Sequence, residues 1–170
     1  VAQGQNALYS NTTGGNNVAI GNNTLYNNTY GCTNFAHGMQ ALYCNTSGCN
    51  NFASGYYALN KNTTGCNNTA IGYQALTSNT TGSNNTAFGM YGLASNTTGK
   101  HNFAQGYNAL RYNTTGCNNF AQGCCALGNN TSGSDNIAQG YKALYCNTTA
   151  GVLTCASANI ALGSLALQYN

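Results

Sequence analysis

The chain has 170 residues, room for one ordinary domain, and only 3% of them are charged, against roughly 25% in a typical globular protein. With a single acid, Asp135, and a formal charge of +3, it holds no carboxylate pair for acid–base catalysis and no basic stripe for nucleic acid. Apolar residues make up 42% of the chain but occur in short runs at regular positions, which excludes disorder and a membrane-spanning segment. No run reads as a signal peptide, and a secreted form is expected to have lost its leader already.

Val1-Ala2-Gln3-Gly4 enters in the middle of a phrase that then recurs every 17 residues from Asn11 to Asn147. Each copy opens with Asn-Thr, from Asn11-Thr12 to Asn147-Thr148, followed by a turn glycine, Gly14 to Gly133. A second asparagine column runs from Asn17 through Asn34 and Asn51 to Asn136. An Ala-x-Gly phrase follows, as in Ala19-Ile20-Gly21, and then a leucine column from Leu8 to Leu167.

A short fixed period predicts a solenoid. Seventeen residues cannot hold two helices with loops, but they can hold two short strands and two turns. Glycine at two places per coil is expected to supply positive-φ corners, a region that asparagine also tolerates. Val, Phe, Thr or Ile before each alanine is a strand former. The expectation is an all-β parallel solenoid, one domain over 1–170, of about ten coils and roughly 45–50 Å in length. The small alanine and the leucine are placed inside. That core is thin, so burial from other chains or from disulfides is expected to supplement it.

Residues 150–158 interrupt the register as an inserted turn before Asn159-Ile160-Ala161-Leu162-Gly163 resumes it. Neither end carries a polar cap, and open strand edges predict either head-to-tail stacking or a place within a longer rod.

Asn17-Val18-Ala19-Ile20-Gly21, Asn68-Thr69-Ala70-Ile71-Gly72 and Asn159-Ile160-Ala161-Leu162-Gly163 resemble the repeats of trimeric autotransporter adhesin heads. They also resemble the shaft repeats of phage and viral tail-fibre-like proteins. The resemblance implies a left-handed parallel β-roll, commonly a homotrimer, used for attachment. The period here is longer than that family's usual one, and cysteine is not typical of it.

The Asn-Thr-Thr turns read as N-glycosylation acceptors, with matches at Asn11, Asn27, Asn45, Asn62, Asn79, Asn96, Asn113, Asn130 and Asn147. Further matches start at Asn22, Asn67, Asn84 and Asn129. The other reading of the turn column is a hydrogen-bonded ladder in which the sequon is a by-product.

Nine cysteines, a high and odd count, predict an oxidising setting, extracellular or on a cell or virion surface. Cys32, Cys49, Cys66 and Cys117 share a column, so a rung-to-rung bond such as Cys32–Cys49 is feasible, with Cys44 competing for Cys49. Cys146 and Cys155 flank the inserted turn, while Cys124 and Cys125 are candidates for bonds across coils or between chains.

Tyr56, Tyr73, Tyr107 and Tyr141 form a regular aromatic column suited to lateral packing or to sugars. His37 and His101 stand apart from any matching ligand set, so no metal, cofactor or enzyme activity is expected. The sequence thus points to a self-associating structural subunit of an extracellular fibre or adhesin shaft, as a homopolymer or homotrimer stapled by disulfides. The other class is a ligand-binding solenoid, either a receptor-binding tail-fibre segment recognising host glycans or an ice-binding array on the Thr12-to-Thr148 column.

Overall fold

A computed structural model describes residues 1–147 and 157–169. Its strands are β1 (Ala2–Gln3), β2 (Val18–Ile20), β3 (Phe35–His37), β4 (Phe52–Ser54), β5 (Thr69–Ile71), β6 (Thr86–Phe88), β7 (Phe103–Gln105), β8 (Phe120–Gln122), β9 (Ile137–Gln139) and β10 (Ile160–Leu162). They form one 10-stranded sheet in sequence order, every pair parallel. Alanine faces alanine throughout, as Ala19 opposite Ala36 and Ala70 opposite Ala87. The chain is therefore a parallel β-solenoid with one repeat per coil. β10 keeps the same alignment, with Ala161 opposite Ala138, so the insertion leaves the sheet register intact. Residues 150–156 of that inserted turn lie outside the described residues.

Each coil carries one short strand, not the two expected. The rest of the perimeter is turn, because residues with positive φ recur and stop the chain from extending. In the coil that opens at Asn45 these are Asn50 (58°), Gly55 (142°), Tyr57 (59°) and Leu59 (52°). Left-handed geometry costs an L-residue about 1–2 kcal/mol. Leu59 is wholly buried, and burial of a leucine contributes roughly 1.5–3 kcal/mol, enough to hold it there. Axial bonds continue through the turns, from Leu42 N–H to the Ala58 carbonyl at 3.0 Å and from Cys44 N–H to Asn60 at 2.9 Å.

Alanine and leucine do line the interior: Ala19 through Ala138 and Leu25 through Leu144 have no exposed surface. A second alanine, at Ala41, Ala58, Ala75, Ala109, Ala126 and Ala143, joins them. The expected shortage of core is made up inside the coil by asparagine. Both asparagine columns are buried, Asn28 to Asn147 at the turn and Asn17 to Asn136 before the strand.

They are satisfied along the axis. Asn62 Nδ2 donates to Asn45 Oδ1 at 2.8 Å and to the Gly65 carbonyl at 3.0 Å. In the second column, Asn51 Oδ1 accepts from the backbone N–H of Asn68 at 3.0 Å and from its Nδ2 at 3.1 Å. Among the described residues no buried side-chain nitrogen or oxygen lacks a partner. Buried amides without partners would cost about 1–3 kcal/mol each, so the ladders are what make this polar interior tenable.

The two glycine columns differ in kind. Gly55 has the positive φ expected of a corner. The turn glycine does not. A Cβ on Gly48 would lie 2.5 Å from Asn45 Oδ1 and 2.8 Å from Asn62 Nδ2, so close stacking, not backbone sign, selects glycine there.

Candidate functional surfaces

The side chains left outside by this interior form rows along the rod. At the turn, each Thr Oγ1 of the Asn-Thr column from Thr12 to Thr114 donates to the carbonyl of the next coil's threonine. Thr46 reaches Thr63 at 3.1 Å, Thr63 reaches Thr80 at 3.1 Å and Thr97 reaches Thr114 at 3.0 Å. The backbone N–H groups of Thr46, Ser47 and Gly48 converge on that same Thr63 carbonyl. The hydroxyl protons therefore run along the axis into the neighbouring coil rather than outward.

The turn asparagines allow two readings, sugar acceptors or rungs of a hydrogen-bonded ladder, and the ladder is what the structure contains. The structure puts Asn45, Asn62, Asn79, Asn96, Asn113 and Asn130 at 0% exposure, with both Nδ2 hydrogens in use, and Asn147 at 3%. An N-glycan replaces one Nδ2 hydrogen and needs open space beside it. Asn11, Asn22, Asn27 and Asn129 are half-buried, and only Asn67 and Asn84 among the sequons are exposed. In material from a glycosylating host, peptide mapping is expected to find sugar at Asn67 or Asn84 and none at Asn62, Asn79 or Asn96. Occupancy of the last three would contradict this interior.

The eight described cysteines are half-buried thiols. The shared column brings Cys32 Sγ to 2.9 Å from Cys49 Sγ, and the Cys32 N–H also points at that sulfur, at 3.1 Å. The hydrogen bond with Cys49, then burial, pushes the Cys32 thiol up. Cys66 extends the row, its Sγ accepting from Cys49 N–H at 3.1 Å. Cys44 is not joined to Cys49; burial raises its thiol while Lys61 opposes the shift. Cys117 accepts from Lys100 N–H at 3.3 Å, and Asn129 Nδ2 approaches Cys146 Sγ at 3.8 Å. Cys124 and Cys125 face each other, Sγ to Sγ at 3.5 Å. Cys155 lies outside the described residues.

Mild oxidation is expected to join Cys32 to Cys49. Closing the 17-residue loop would stabilise the fold by roughly 3 kcal/mol. Non-reducing peptide mapping reads the link, and Cys49 found with Cys44 instead would refute the pairing.

The predicted tyrosine column is on the surface: Tyr56, Tyr73, Tyr107 and Tyr141 are 39–49% exposed, with Met39 before them and Met90 between Tyr73 and Tyr107. Tyr56 stacks on Tyr73 at 5.4 Å and 3°. Beside it, on the strand face, Phe35 stacks on Phe52 at 4.7 Å and Phe103 on Phe120 at 4.9 Å. That phenylalanine row is interrupted at Thr69 and Thr86, where Ile71 and Phe88 are exposed across the strand, and together they make a second apolar face, which the tyrosines alone did not foretell. His37 and His101 are both exposed, one on a strand and one at a turn. No cluster of three or more potential metal ligands occurs among the described residues.

Comparison of the chain with protein-family models, with curated proteins and with solved structures finds no match. The solenoid assignment stands on strand register and the asparagine ladders.

Proposed function

We propose that this chain is a structural segment of an extracellular fibre or adhesin shaft, at a cell or virion surface. The observation that carries the reading is the pair of asparagine ladders, which join each coil to the next by the same bonds without a break. Load along the axis is spread over those bonds, the sheet and the threonine staples, and the low charge leaves little repulsion between copies. Resemblance to adhesin-head and tail-fibre repeats supports the same role, either as a stacked homopolymer or as a homotrimer. Disulfides in the Cys32 column would add covalent rungs, and any sugar coat would sit on the outward-facing Asn67 and Asn84.

Electron cryo-microscopy of native, unreduced material tests the proposal. Long unbranched fibres with a subunit repeat of about 50 Å are expected; short discrete rods would count against a polymer.

A second reading, a ligand-binding solenoid, draws on the exposed aromatic faces. Receptor or host-glycan binding would show as saturable binding by discrete oligomers. Ice binding needs outward hydroxyls, and the axial bonding of the Thr46 and Thr63 hydroxyls speaks against it. Measurable thermal hysteresis would restore it.

A further inference from the structure

The row that follows the leucine column reads Tyr9, Tyr26, Tyr43, Asn60, Thr77, Ala94, Arg111, Gly128 and Tyr145. Gly128 is its one missing side chain. The gap opens a notch of about 60 Å³ lined by Asn108, Arg111, Tyr112, Cys125, Gly128 and Tyr145. That is room for a carboxylate and a water or two. Tyr145 leans over the gap: a Cβ on Gly128 would meet its Cε2 at 2.8 Å and the Cys125 carbonyl at 3.1 Å.

Arg111 is held in place at this notch. Its guanidinium lies 4.7 Å from the Tyr91 ring centroid and 5.1 Å from that of Tyr112, and Nη1 donates to Asn108 Oδ1 at 3.3 Å. Lys142 also lies near Tyr145, its Nζ 5.5 Å from that ring and 5.3 Å from Tyr141. Two of the chain's four cations thus lie at or beside the notch that Tyr145 lines. The only acidic side chain is engaged elsewhere, Asp135 Oδ1 accepting from Asn118 Nδ2 at 3.0 Å. A fixed guanidinium without a carboxylate, in a cleft walled by amphipathic rings, is a receptor for an anion carried on a flat polar body.

We propose that the Arg111–Gly128–Tyr145 notch binds a carboxylate-bearing sugar residue of an acidic glycan. The carboxylate meets the Arg111 guanidinium, a sugar hydroxyl meets Asn108, and the ring lies along Tyr112 or Tyr145. This is a binding activity separate from the fibre reading, and a rod that fails to polymerise would still show it.

The test is saturation-transfer NMR observed on the ligand, which works whether the protein is discrete or fibrous. The probes are sodium glucuronate, glucose and sodium acetate. Glucuronate should bind with a Kd on the order of 1 mM, and glucose and acetate far more weakly. Arg111→Gln should weaken glucuronate roughly 10- to 100-fold, the loss of a charge-assisted contact. The same row already carries Asn60, Thr77 and Ala94, so this variant keeps the fold, as circular dichroism would register. Gly128→Ala, which pushes Tyr145 aside, should abolish transfer. No transfer to glucuronate, transfer unaffected by Arg111→Gln, or acetate competing as an equal would each overturn the proposal.

Discussion

Replacing Asn79 with alanine is expected to lower the unfolding free energy by about 3–5 kcal/mol, a large effect for a change to a small residue. Asn79 Nδ2 donates to Asn62 Oδ1 at 2.8 Å and to the Gly82 carbonyl at 2.9 Å, while its Oδ1 accepts from Asn96 Nδ2 at 2.8 Å. The Gly82 carbonyl keeps a second donor, Asn68 Nδ2 at 2.9 Å. Asn62 Oδ1 and one hydrogen of Asn96 have no such reserve, and both would be left bare in the interior. Denaturant unfolding reads the change, with exposed Thr81→Ala as a control near zero.

Asn79→Asp separates hydrogen bonding from shape. At neutral pH its carboxylate would face two oxygen acceptors without a proton to give. Burial and those oxygens raise its folded pKa above the unfolded value, so the variant's stability is greatest below the unfolded pKa. It is lost as pH rises through the folded one. A variant equally stable at acid and neutral pH would show that this amide is not donating.

Gly65→Ala is expected to cost more than about 3 kcal/mol or to prevent folding, since overpacking against backbone finds little relief. The new Cβ would fall 2.5 Å from Asn62 Oδ1, closer still to the Gly82 carbonyl oxygen, and 3.0 Å from Asn79 Nδ2. Every coil repeats that contact, so the strain cannot be passed along the rod. Gly15, one residue beyond a turn glycine, has nothing within 4 Å of its would-be Cβ. Gly15→Ala should therefore be neutral, or stabilising by up to about 1 kcal/mol through the unfolded state. Thermal melting of the two variants decides the matter, and equal midpoints would refute stacking as the reason for the glycine column.

The period made the fold legible. A 17-residue repeat with Ala and Leu in fixed places left few architectures open, and both residues lie inside as expected. The asparagines were harder. Asn beside Thr reads equally as a sugar acceptor or as a rung of a hydrogen-bonded ladder, and a single coil offers the Asn62 amide only the Gly65 carbonyl. Only when identical coils stack does Asn45 in the neighbouring coil supply the second acceptor. The missing second strand was hidden too, because Leu59 and Tyr57 are not residues that announce a left-handed backbone. The Arg111 notch left a faint trace, one glycine in a row of side chains, which matters only once the row is known to be a surface.

Side-chain amide hydrogen exchange tests the ladder interior most directly. The Nδ2 hydrogens of Asn62, Asn79 and Asn96 should exchange only as coils open, while those of exposed Asn67 and Asn84 exchange at the rate of a free amide. If Asn79 and Asn84 exchanged equally fast, the asparagine ladders would not be holding the coils together.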